Sequence, residues 1–373
     1  MKKISLILLS CFTFLCTSSQ QQKKNFLIIG TYTTENKDGI YVYSFDTETS
    51  GSKFVSSIKC PNPSFLTISP NKKFIYSVNE DTKGMVTSYS FDQQTGKLLQ
   101  KNQQSSHGKG PCYIAIDKSG KWIFTGNYGS GTLAVYPVNK DGSIAPATDS
   151  IEHIGSSVVS GRQESAHVHA TVLSPDNKTL YVPDLGMDKV MMYSFNNKKG
   201  KLTPHKYEFV ITEPGAGPRH LDIHPNGKYA YLMEELSGSI SVYAIEKDGS
   251  LYLIQNISGL PRDFNGLVGS ADIHVSPDGK FLYCSNRGES NTIGILRINK
   301  ENGMLVWEDA QPTLGLKPRN FNFDPTGKYL LVANQDSNEI VIFERDLDTG
   351  LLNDTGKRIE VSKPVCLKWI TVN

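Results

Sequence analysis

One phrase is repeated six times along the chain, and this repetition constrains the fold more than any other feature. Each copy joins an apolar segment, a turn of the Ser-Pro-Asp-Gly-Lys kind and an aromatic segment, as in LDIHPNGKYAYLMEEL at residues 221–236. The lysines that end the turns lie 48, 57, 50, 52 and 48 residues apart, at Lys73, Lys121, Lys178, Lys228, Lys280 and Lys328. Self-similarity with a period of about 50 residues indicates a repeated supersecondary unit.

The segments between the repeated hairpins identify that unit. Each hairpin is followed by an alternating polar and apolar segment, such as SISVYAI at residues 239–245, and then by a turn and a weaker segment. Alternation with a period of two residues is typical of half-buried strands. Four strands in about 50 residues form the blade of a β-propeller, whereas most solenoid repeats are shorter and helical. The 17 Tyr and 16 Phe residues also suit β-structure.

The two ends of the repeat pattern complement each other. FLIIGTYT (26–33) and GIYVYSF (39–45) match the second and third strands of a blade, and PVCLKWI (364–370) matches a first strand. We therefore predict an all-β fold, a seven-bladed β-propeller of four-stranded antiparallel blades. Its C-terminal strand pairs with the N-terminal strands and closes the ring, which removes an exposed sheet edge. Residues 23–373 should form this single domain.

The N-terminal residues have the layout of an export signal. Residues 1–22 contain two lysines, an apolar run over residues 4–15 and a polar stretch, which predicts a signal peptide rather than a membrane span. Leu-Leu-Ser-Cys, ending at Cys11, resembles a bacterial lipoprotein box, and Cys16 is a second candidate for lipidation. The alternative is a plain cleaved signal. We expect an exported protein that is periplasmic or lipid-anchored at the cell envelope, with no other membrane contact.

Charge and cysteine usage exclude several classes of site. The formal net charge of +2 lacks the basic excess that nucleic-acid binding requires. Beyond the signal segment, four cysteines lie far apart without a Cys-x-x-Cys pair, at Cys60, Cys112, Cys284 and Cys366. This spacing favours buried free thiols over a zinc site or a disulfide framework. We expect a monomer without metal or cofactor.

Propeller geometry predicts which residues share one end of the central channel, which we call the mouth. The first strand of each blade lines the channel and the second runs back beside it, so the start of one and the end of the other lie together. Counting eight positions outward from the residue before each turn lysine therefore gives facing pairs. These pairs are Ser64 with Glu80, Cys112 with Tyr128, His169 with Leu185, Arg219 with Glu235, Ala271 with Arg287, and Arg319 with Gln335.

The occupants of these equivalent positions differ, which packing alone does not explain. They include three cations, an imidazole and a carboxylate, namely Arg219, Arg287, Arg319, His169 and Glu235. Such a mixture suits an anion-binding acid/base site. The structural alternative for Arg219 and Glu235 is a cross-strand ion pair. His167 and His169 share a strand face, so a metal pair is another reading, although a third ligand is not evident.

Other polar residues have two readings each. His220 and His224 share a strand face, and His224 fits a hydrogen-bonded core histidine. Glu80, Tyr128 and Gln335 suit either substrate contact or the polar rim of the mouth. Two long connections, from Val138 to Ala166 and over residues 261–271, emerge at the mouth, and loops of this length on a rigid scaffold commonly cover a site.

Five further segments carry a family resemblance. They are GTYT (30–33), NYGSGTLAVY (127–136), GAGPRH (215–220), SNRG (285–288) and PRNFNFDPTGKYLLVANQ (318–335). Over essentially the whole chain beyond the signal segment, the sequence resembles the seven-bladed lactonase family, which includes bacterial 6-phosphogluconolactonases and fungal carboxymuconate lactonizing enzymes. One departure is Glu234-Glu235-Leu236, where relatives read Asn-Glu-Leu, so Glu234 competes with Glu235 for the assignment.

The resemblance implies a catalytic group of one histidine, two arginines and one glutamate, which matches His169, Arg219, Arg287 and Glu235. The expected substrate contacts are His167, His220, Arg319, Tyr128, Glu80 and Gln335. The expected partner is a small anionic lactone or sugar acid.

The predicted reaction is hydrolysis of a sugar-acid lactone. In it, Arg219 and Arg287 bind an anionic substituent or the developing oxyanion, and Glu235 or His169 activates water. The chain has no Gly-x-Ser-x-Gly motif, which disfavours a covalent serine route. The alternatives are a muconate-type lactonizing enzyme, a metal-dependent lactonase, and a non-catalytic propeller that binds a glycan or peptide.

Overall fold

Seven four-stranded antiparallel sheets account for the strands of the structure, a computed structural model that describes residues 23–33 and 37–372. The predicted signal segment, with Cys11 and Cys16, lies outside the described residues. Within those residues, we find no helix with the length and apolar character needed to cross a membrane.

The strands follow one another along the chain in blade order. Those of the first four blades are β1 (Lys24–Thr31), β2 (Ile40–Phe45), β3 (Ser52–Ile58), β4 (Leu66–Ile68), β5 (Phe74–Asn79), β6 (Met85–Phe91), β7 (Leu98–Ser105), β8 (Pro111–Ile116), β9 (Trp122–Asn127), β10 (Thr132–Pro137), β11 (Asp149–Glu152), β12 (Val172–Leu173), β13 (Thr179–Asp184), β14 (Lys189–Asn196) and β15 (Lys201–Ile211). The remaining strands are β16 (Pro218–Ile223), β17 (Tyr229–Glu234), β18 (Ser239–Ile245), β19 (Leu251–Ser258), β20 (Ser270–Val275), β21 (Phe281–Asn286), β22 (Thr292–Ile298), β23 (Leu305–Pro312), β24 (Pro318–Phe323), β25 (Tyr329–Asn334), β26 (Glu339–Arg345), β27 (Leu352–Glu360) and β28 (Pro364–Val372).

The ring closes through the last strand. β28 is the innermost strand of the sheet ordered β28-β1-β2-β3, and it pairs antiparallel with β1 from Lys24 opposite Val372 to Gly30 opposite Cys366. In the other blades the innermost strands are β4, β8, β12, β16, β20 and β24. Inner strands of neighbouring blades contact each other around the central axis. The predicted seven-bladed propeller, with its closing strand, is confirmed.

The repeated turns lie at the end of the ring opposite the mouth, which we call the turn face. The residue before each turn lysine has a positive φ of 60° to 73°, at Lys72, Gly120, Asn177, Gly227, Gly279 and Gly327. A tight hairpin needs a left-handed residue here, and glycine and asparagine adopt this conformation most easily. The Asn226 side chain adds a hydrogen bond of 2.9 Å from the Lys228 backbone N–H. The turn sequence therefore fixes the register of each blade.

The hydrophobic core lies between the faces of neighbouring blades. Phe281 and Tyr283 of β21 pack with Phe321 and Leu330 of the next blade, for example, and all four side chains are buried. The four cysteines of the described chain are buried and free, as predicted.

Bulges shape the mouth end of several inner strands. In β16 the pairing with β17 shifts between Pro218 and His220, which leaves Arg219 as the extra residue. Equivalent shifts leave Cys112 unpaired in β8, Arg319 in β24 and Val365 in β28. A bulge redirects the side chain of the extra residue. All four of these residues line one small cavity on the central channel.

Candidate active site

The carboxylate of Glu235, at the end of the β16–β17 hairpin, is the centre of the site. Its backbone N–H donates to Gly217 O over 2.7 Å, and its backbone oxygen accepts from Ser270 N over 3.1 Å, so two blades hold it. Three guanidinium groups surround the buried carboxylate. Arg162 Nη2 lies 2.6 Å from Oε1, and Arg219 Nε and Arg287 Nη2 lie 2.8 and 2.9 Å from Oε2. We call these four residues the arginine–glutamate cluster.

Each of the two predicted catalytic arginines also bonds to the backbone, Arg219 to that of the neighbouring blade and Arg287 to that of its own blade. Arg219, which is 1% exposed, donates from Nη1 to Ala271 O over 2.6 Å. Arg287 donates from Nε to Gly269 O over 2.8 Å and from Nη2 to Ser270 O over 3.1 Å. Because the main chain fixes both guanidinium groups, they are preorganised to stabilise negative charge at the mouth. The predicted contact between Arg219 and Glu235 across the hairpin is confirmed.

A second acidic group lies across the cavity. Glu80 accepts hydrogen bonds from the Tyr32 hydroxyl at 2.9 Å and from Ser64, and its Oε2 lies 4.0 Å from Arg319 Nη2. The Arg319 guanidinium also lies over the Tyr32 ring, 5.2 Å from its centre. The structure therefore places the predicted residues Glu80 and Arg319 together. Arg319 also lines the cavity beside Arg219.

The histidines predicted near β12 form one wall of the site. His169 Nε2 lies 3.9 Å from Glu235 Oε2, and its ring centre is 5.5 Å from that of Tyr128. His167 stacks on the ring of this tyrosine at 4.3 Å and donates from Nδ1 to Tyr128 O over 2.8 Å. His169 is thus part of the site, whereas His167 and Tyr128 support it from the rim.

His220 lies deeper, at the base of the mouth. Its ring centre is 5.3 Å from that of His169, and its Nδ1 lies 2.7 Å from Asp272 Oδ1. It lines the small cavity together with Arg219 and Arg319. Its strand neighbour His224 lies near the turn face and donates to Gly279 O over 3.0 Å, in agreement with the hydrogen-bonded role predicted for it.

Gln335 and Glu234 lie outside the arginine–glutamate cluster. Gln335 donates to Asp336 over 3.1 Å at the exposed rim. Glu234 accepts from Ser241 Oγ over 2.7 Å and from Asn256 over 3.4 Å, between β17 and the outer strands of its blade. Successive residues of a strand point to opposite faces, so Glu234 turns away from the mouth where Glu235 faces it. Of the two glutamates, Glu235 is therefore the one that contacts the arginines.

Arg162 is the main functional residue that sequence reasoning missed. It lies in the long connection before β12, which was predicted to cover the mouth, but the hairpin count cannot reach a residue outside the repeat. Tyr32 was also missed, although the GTYT motif contains it. Loop residues have no equivalent in the other blades, so only a three-dimensional structure could place Arg162 against Glu235.

The electrostatics separate the roles of the titratable groups. Burial alone would raise the pKa of Glu235, but Arg287 and Arg219 hold it well below its usual range. Burial and the nearby Arg219 hold the pKa of His169 well below its usual range and lower that of His220 to about 3. Burial beside Arg287 and Arg319 lowers the pKa of Arg219 to about 10, so it stays cationic at neutral pH. The site therefore combines a fixed carboxylate, neutral imidazoles and guanidinium cations.

Positive charge exceeds negative charge at the mouth. Four guanidinium groups, those of Arg162, Arg219, Arg287 and Arg319, face the two carboxyl groups of Glu80 and Glu235. An anionic substrate, or an oxyanion that develops during a reaction, is stabilised by such an excess, and more strongly where the site excludes water.

The family comparison agrees with this geometry. Residues 26–369 match the family model described as "Lactonase, 7-bladed beta-propeller". The chain is 38% identical over 352 residues to the 6-phosphogluconolactonase of Formosa agariphila, an alignment that covers 92% of this chain and 99% of that protein. It is 36% identical over 348 residues to the 6-phosphogluconolactonase of Bacillus subtilis, covering 92% and 97% of the two chains.

A solved structure gives the same fold. The periplasmic gluconolactonase of Pseudomonas aeruginosa superimposes with a TM-score of 0.89 at 37% sequence identity, covering 94% of this chain and 99% of that one. This chain and the Pseudomonas aeruginosa protein are therefore similar in sequence as well as in fold over nearly their full lengths.

Proposed function

The chain belongs to the lactonase family of seven-bladed β-propellers, and on that premise we propose that it is an enzyme that hydrolyses a sugar-acid lactone at its mouth. The observation that carries this proposal is the arginine–glutamate cluster, in which buried guanidinium groups are held by backbone oxygens beside neutral imidazoles. Hydrolysis of a lactone creates negative charge on the carbonyl oxygen, and this arrangement can stabilise that charge.

The arginines divide into two roles. Arg219 and Arg287, which the main chain fixes, stabilise the oxyanion that forms when water attacks the carbonyl carbon. Arg162, whose side chain is 40% exposed, and Arg319, which lies near Glu80, bind an anionic substituent of the sugar acid. The substrate class is therefore an anionic lactone, in keeping with the 6-phosphogluconolactonases to which the chain is similar.

We assign Glu235 the role of holding the arginines in place rather than that of transferring a proton. Both of its carboxylate oxygens accept hydrogen bonds from guanidinium groups, and its pKa is held well below the usual range by Arg287 and Arg219 in spite of burial. Three guanidinium groups occupy the hydrogen-bonding positions of this carboxylate, which leaves it poorly placed to take a proton from water. We therefore assign proton transfer to the imidazoles, with His169 placed to pass a proton to the leaving ring oxygen.

We base the proposed cellular location on the N-terminal sequence. The lysines and apolar run of residues 1–22 support export, and the Pseudomonas aeruginosa structure to which the chain is similar is that of a periplasmic enzyme. We propose that the enzyme acts outside the cytoplasm on lactones of the cell envelope space. The monomeric state and lipid attachment at Cys11 or Cys16 stay predictions.

A lactone panel tests the proposal. Acid release from glucono-δ-lactone and from its 6-phosphate, followed by pH-stat titration, should exceed the uncatalysed rate. Arg219→Ala and Arg287→Ala should each lower kcat/KM by about 100-fold or more, because each removes an oxyanion partner. Arg297→Ala is the matched control, since this arginine pairs with Glu308 on the outer wall, and it should keep the parent activity.

The other outcomes are informative. Hydrolysis by Arg219→Ala and Arg287→Ala at the parent rate would remove the cluster from the mechanism. Ring closure of a muconate-type acid without hydrolysis of sugar lactones would replace the proposed reaction with a lactonizing one. Ligand binding without turnover would favour a binding propeller.

A further inference from the structure

His220 has one partnered ring nitrogen and one free ring nitrogen, although its side chain is buried. Nδ1 lies 2.7 Å from Asp272 Oδ1. Nε2 is shielded from solvent, and it makes no hydrogen bond with any described residue. A buried polar atom without a hydrogen-bond partner lowers the stability of the fold, so its presence suggests a functional role.

Other buried histidines of the described chain show the usual arrangement. His153 places Nδ1 at 2.7 Å from Asp184 and Nε2 at 2.9 Å from the Tyr193 hydroxyl. His205 donates from Nε2 to Asp248 O over 3.0 Å and accepts from Tyr207 N at Nδ1 over 3.2 Å. Among the buried side-chain atoms in residues 23–33 and 37–372 that have no partner, His220 Nε2 is the imidazole nitrogen.

Asp272 determines which nitrogen of His220 carries the hydrogen. Burial alone would raise the pKa of Asp272, but the nearby His274 and hydrogen bonds from His220 and His274 hold it well below the usual range. An ionised carboxylate only accepts hydrogen bonds, so Nδ1 of His220 must donate, and the neutral ring carries its lone pair on Nε2. The carboxylate itself is fixed by His274 Nε2 at 3.0 Å and by Asn320.

Two aromatic rings hold the imidazole in this orientation. Phe65 and Tyr113 meet its ring edge to face, with centre distances of 5.6 and 5.3 Å. The nitrogen with the free lone pair belongs to a residue that lines the small cavity beside Arg219 and Arg319. The volume of this cavity is close to that of a single water molecule, and its walls include polar groups from Ser64, Arg219 and Arg319.

We propose that His220 is the residue that accepts the proton of the reacting water, and that Asp272 is its positioning residue. This role deepens the expectation that His220 only contacts substrate, and it rests on the proposed lactone hydrolysis. The pairing of a buried carboxylate with the Nδ1 side of a histidine is how other hydrolytic sites orient a base and stabilise its protonated form.

The reaction balances with these groups alone. Water held at His220 Nε2 attacks the lactone carbonyl carbon, a C–O bond forms, and the water proton moves to Nε2. The carbonyl electron pair moves to oxygen, where Arg219 and Arg287 stabilise it. The oxyanion then re-forms the C=O bond as the ring C–O bond breaks, and the leaving oxygen takes the proton of His220 by way of His169, whose ring centre lies 5.3 Å from that of His220. His220 returns to neutrality, and the product is the open hydroxy acid.

Variants at His220 and Asp272 test the inference in the enzyme that hydrolyses the best lactone of the panel. His220→Gln should lower kcat by about 100-fold or more while KM changes by less than about threefold, because general-base catalysis contributes on the order of 10² to 10⁴. Asp272→Asn should lower kcat by roughly tenfold or more. Its second readout is the ¹⁵N NMR spectrum of His220, in which the single Nδ1–H tautomer of the parent should be lost.

His224→Gln is the matched control, since this histidine lies on the same strand face and hydrogen-bonds only near the turn face. It should keep the parent kcat. A His220→Gln enzyme with the parent kcat would overturn the role of His220, and a parent spectrum with hydrogen on Nε2 would also overturn it. A parent that opens no lactone would overturn the proposed function itself, and this role with it.

Discussion

At the scale of single residues, the unusual feature is a buried carboxylate surrounded by three guanidinium groups. Glu235 neutralises part of the charge of Arg162, Arg219 and Arg287, which would otherwise repel each other. Removing one partner from such a network leaves an uncompensated buried charge, which is strongly destabilising. The cluster therefore serves both folding and charge stabilisation, and the sequence could predict part of it. Arg219 and Glu235 occupy repeated positions, whereas Arg162 does not.

Lactone hydrolysis should depend little on pH over the range in which an ordinary histidine titrates. His169 and His220 act only when neutral, and both have lowered pKa values, that of His220 being about 3. The groups that face them are Arg219 and Arg319, which oppose protonation, and Asp272 and Glu235, which favour it. A lowered pKa moves protonation to lower pH, so activity should persist below pH 6.

This pH dependence is measured as kcat/KM for lactone hydrolysis between pH 4.5 and 7.5, with the uncatalysed rate subtracted. A base with the ordinary histidine pKa of about 6.5 would lose activity about 30-fold by pH 5, whereas we expect a change of less than about threefold. A profile that falls with a midpoint near pH 6.5 would contradict the neutral-imidazole assignment.

At the scale of elements, the loop that carries Arg162 is tied to the scaffold through the buried side chain of Gln163. The Gln163 side chain, 0% exposed, donates to Leu185 O and to Asp188 Oδ1, each over 2.8 Å. Asp188 also accepts from the backbone N–H groups of Gly215 and Gly217, both at 2.7 Å. The same carboxylate therefore holds the loop that carries Arg162 and the segment that leads into β16.

Substitution of Gln163 should weaken substrate binding without unfolding the ring. Gln163→Ala should loosen the loop and raise KM for the anionic lactone by roughly tenfold to a hundredfold, because Arg162 no longer keeps its place. The ring itself should stay folded, with a thermal midpoint within a few degrees of the parent, because the lost bonds lie in a loop. Steady-state kinetics would measure KM, hydrogen exchange over residues 155–165 would measure the loosening of the loop, and thermal unfolding would give the midpoint.

The matched control for the loop is Gln335→Ala. Gln335 also lies at the rim, but its side chain bonds only to the adjacent Asp336 among the described residues. The Gln335→Ala enzyme should keep the parent KM. A rise in KM equal to that of Gln163→Ala would show that rim polarity, rather than loop anchoring, sets affinity. The long connection was recognisable in the sequence by its length, but its anchor was not, because Gln163 lies between β11 and β12 whereas Asp188 lies in the turn between β13 and β14.

At the scale of the whole molecule, the ring depends on a strand that comes from the far end of the chain. Leu367 of β28 is 0% exposed and packs against Leu27 and Ile29 of β1 and against Leu331 of the preceding blade. The backbone of Leu367 also bonds to Asn320 and Asn322 of β24 at 2.7 and 2.9 Å. The fold was predictable from the sequence because the repeat specifies each blade and the unmatched first and last segments specify the closure.

The closing strand should contribute strongly to the stability of the ring. Leu367→Ala should lower the free energy of unfolding by about 2 to 5 kcal/mol, because it leaves a cavity in the closing blade. Leu351→Ala, at a leucine that is 39% exposed in a turn, should change it by less than about 0.5 kcal/mol. Urea unfolding followed by intrinsic fluorescence gives both values. Equal stability of the two variants would mean that β28 adds little to the ring.

The pairing of β1 with β28 also determines how the molecule can be held. Lys24 and Val372 face each other at the turn face, whereas Thr31 and Pro364 lie at the mouth. Any lipid, surface or affinity tag joined to either end of the propeller therefore leaves from the side remote from Arg219 and Glu235. An enzyme tethered in this way would hold its mouth on the side away from the tether, where dissolved substrate can reach it.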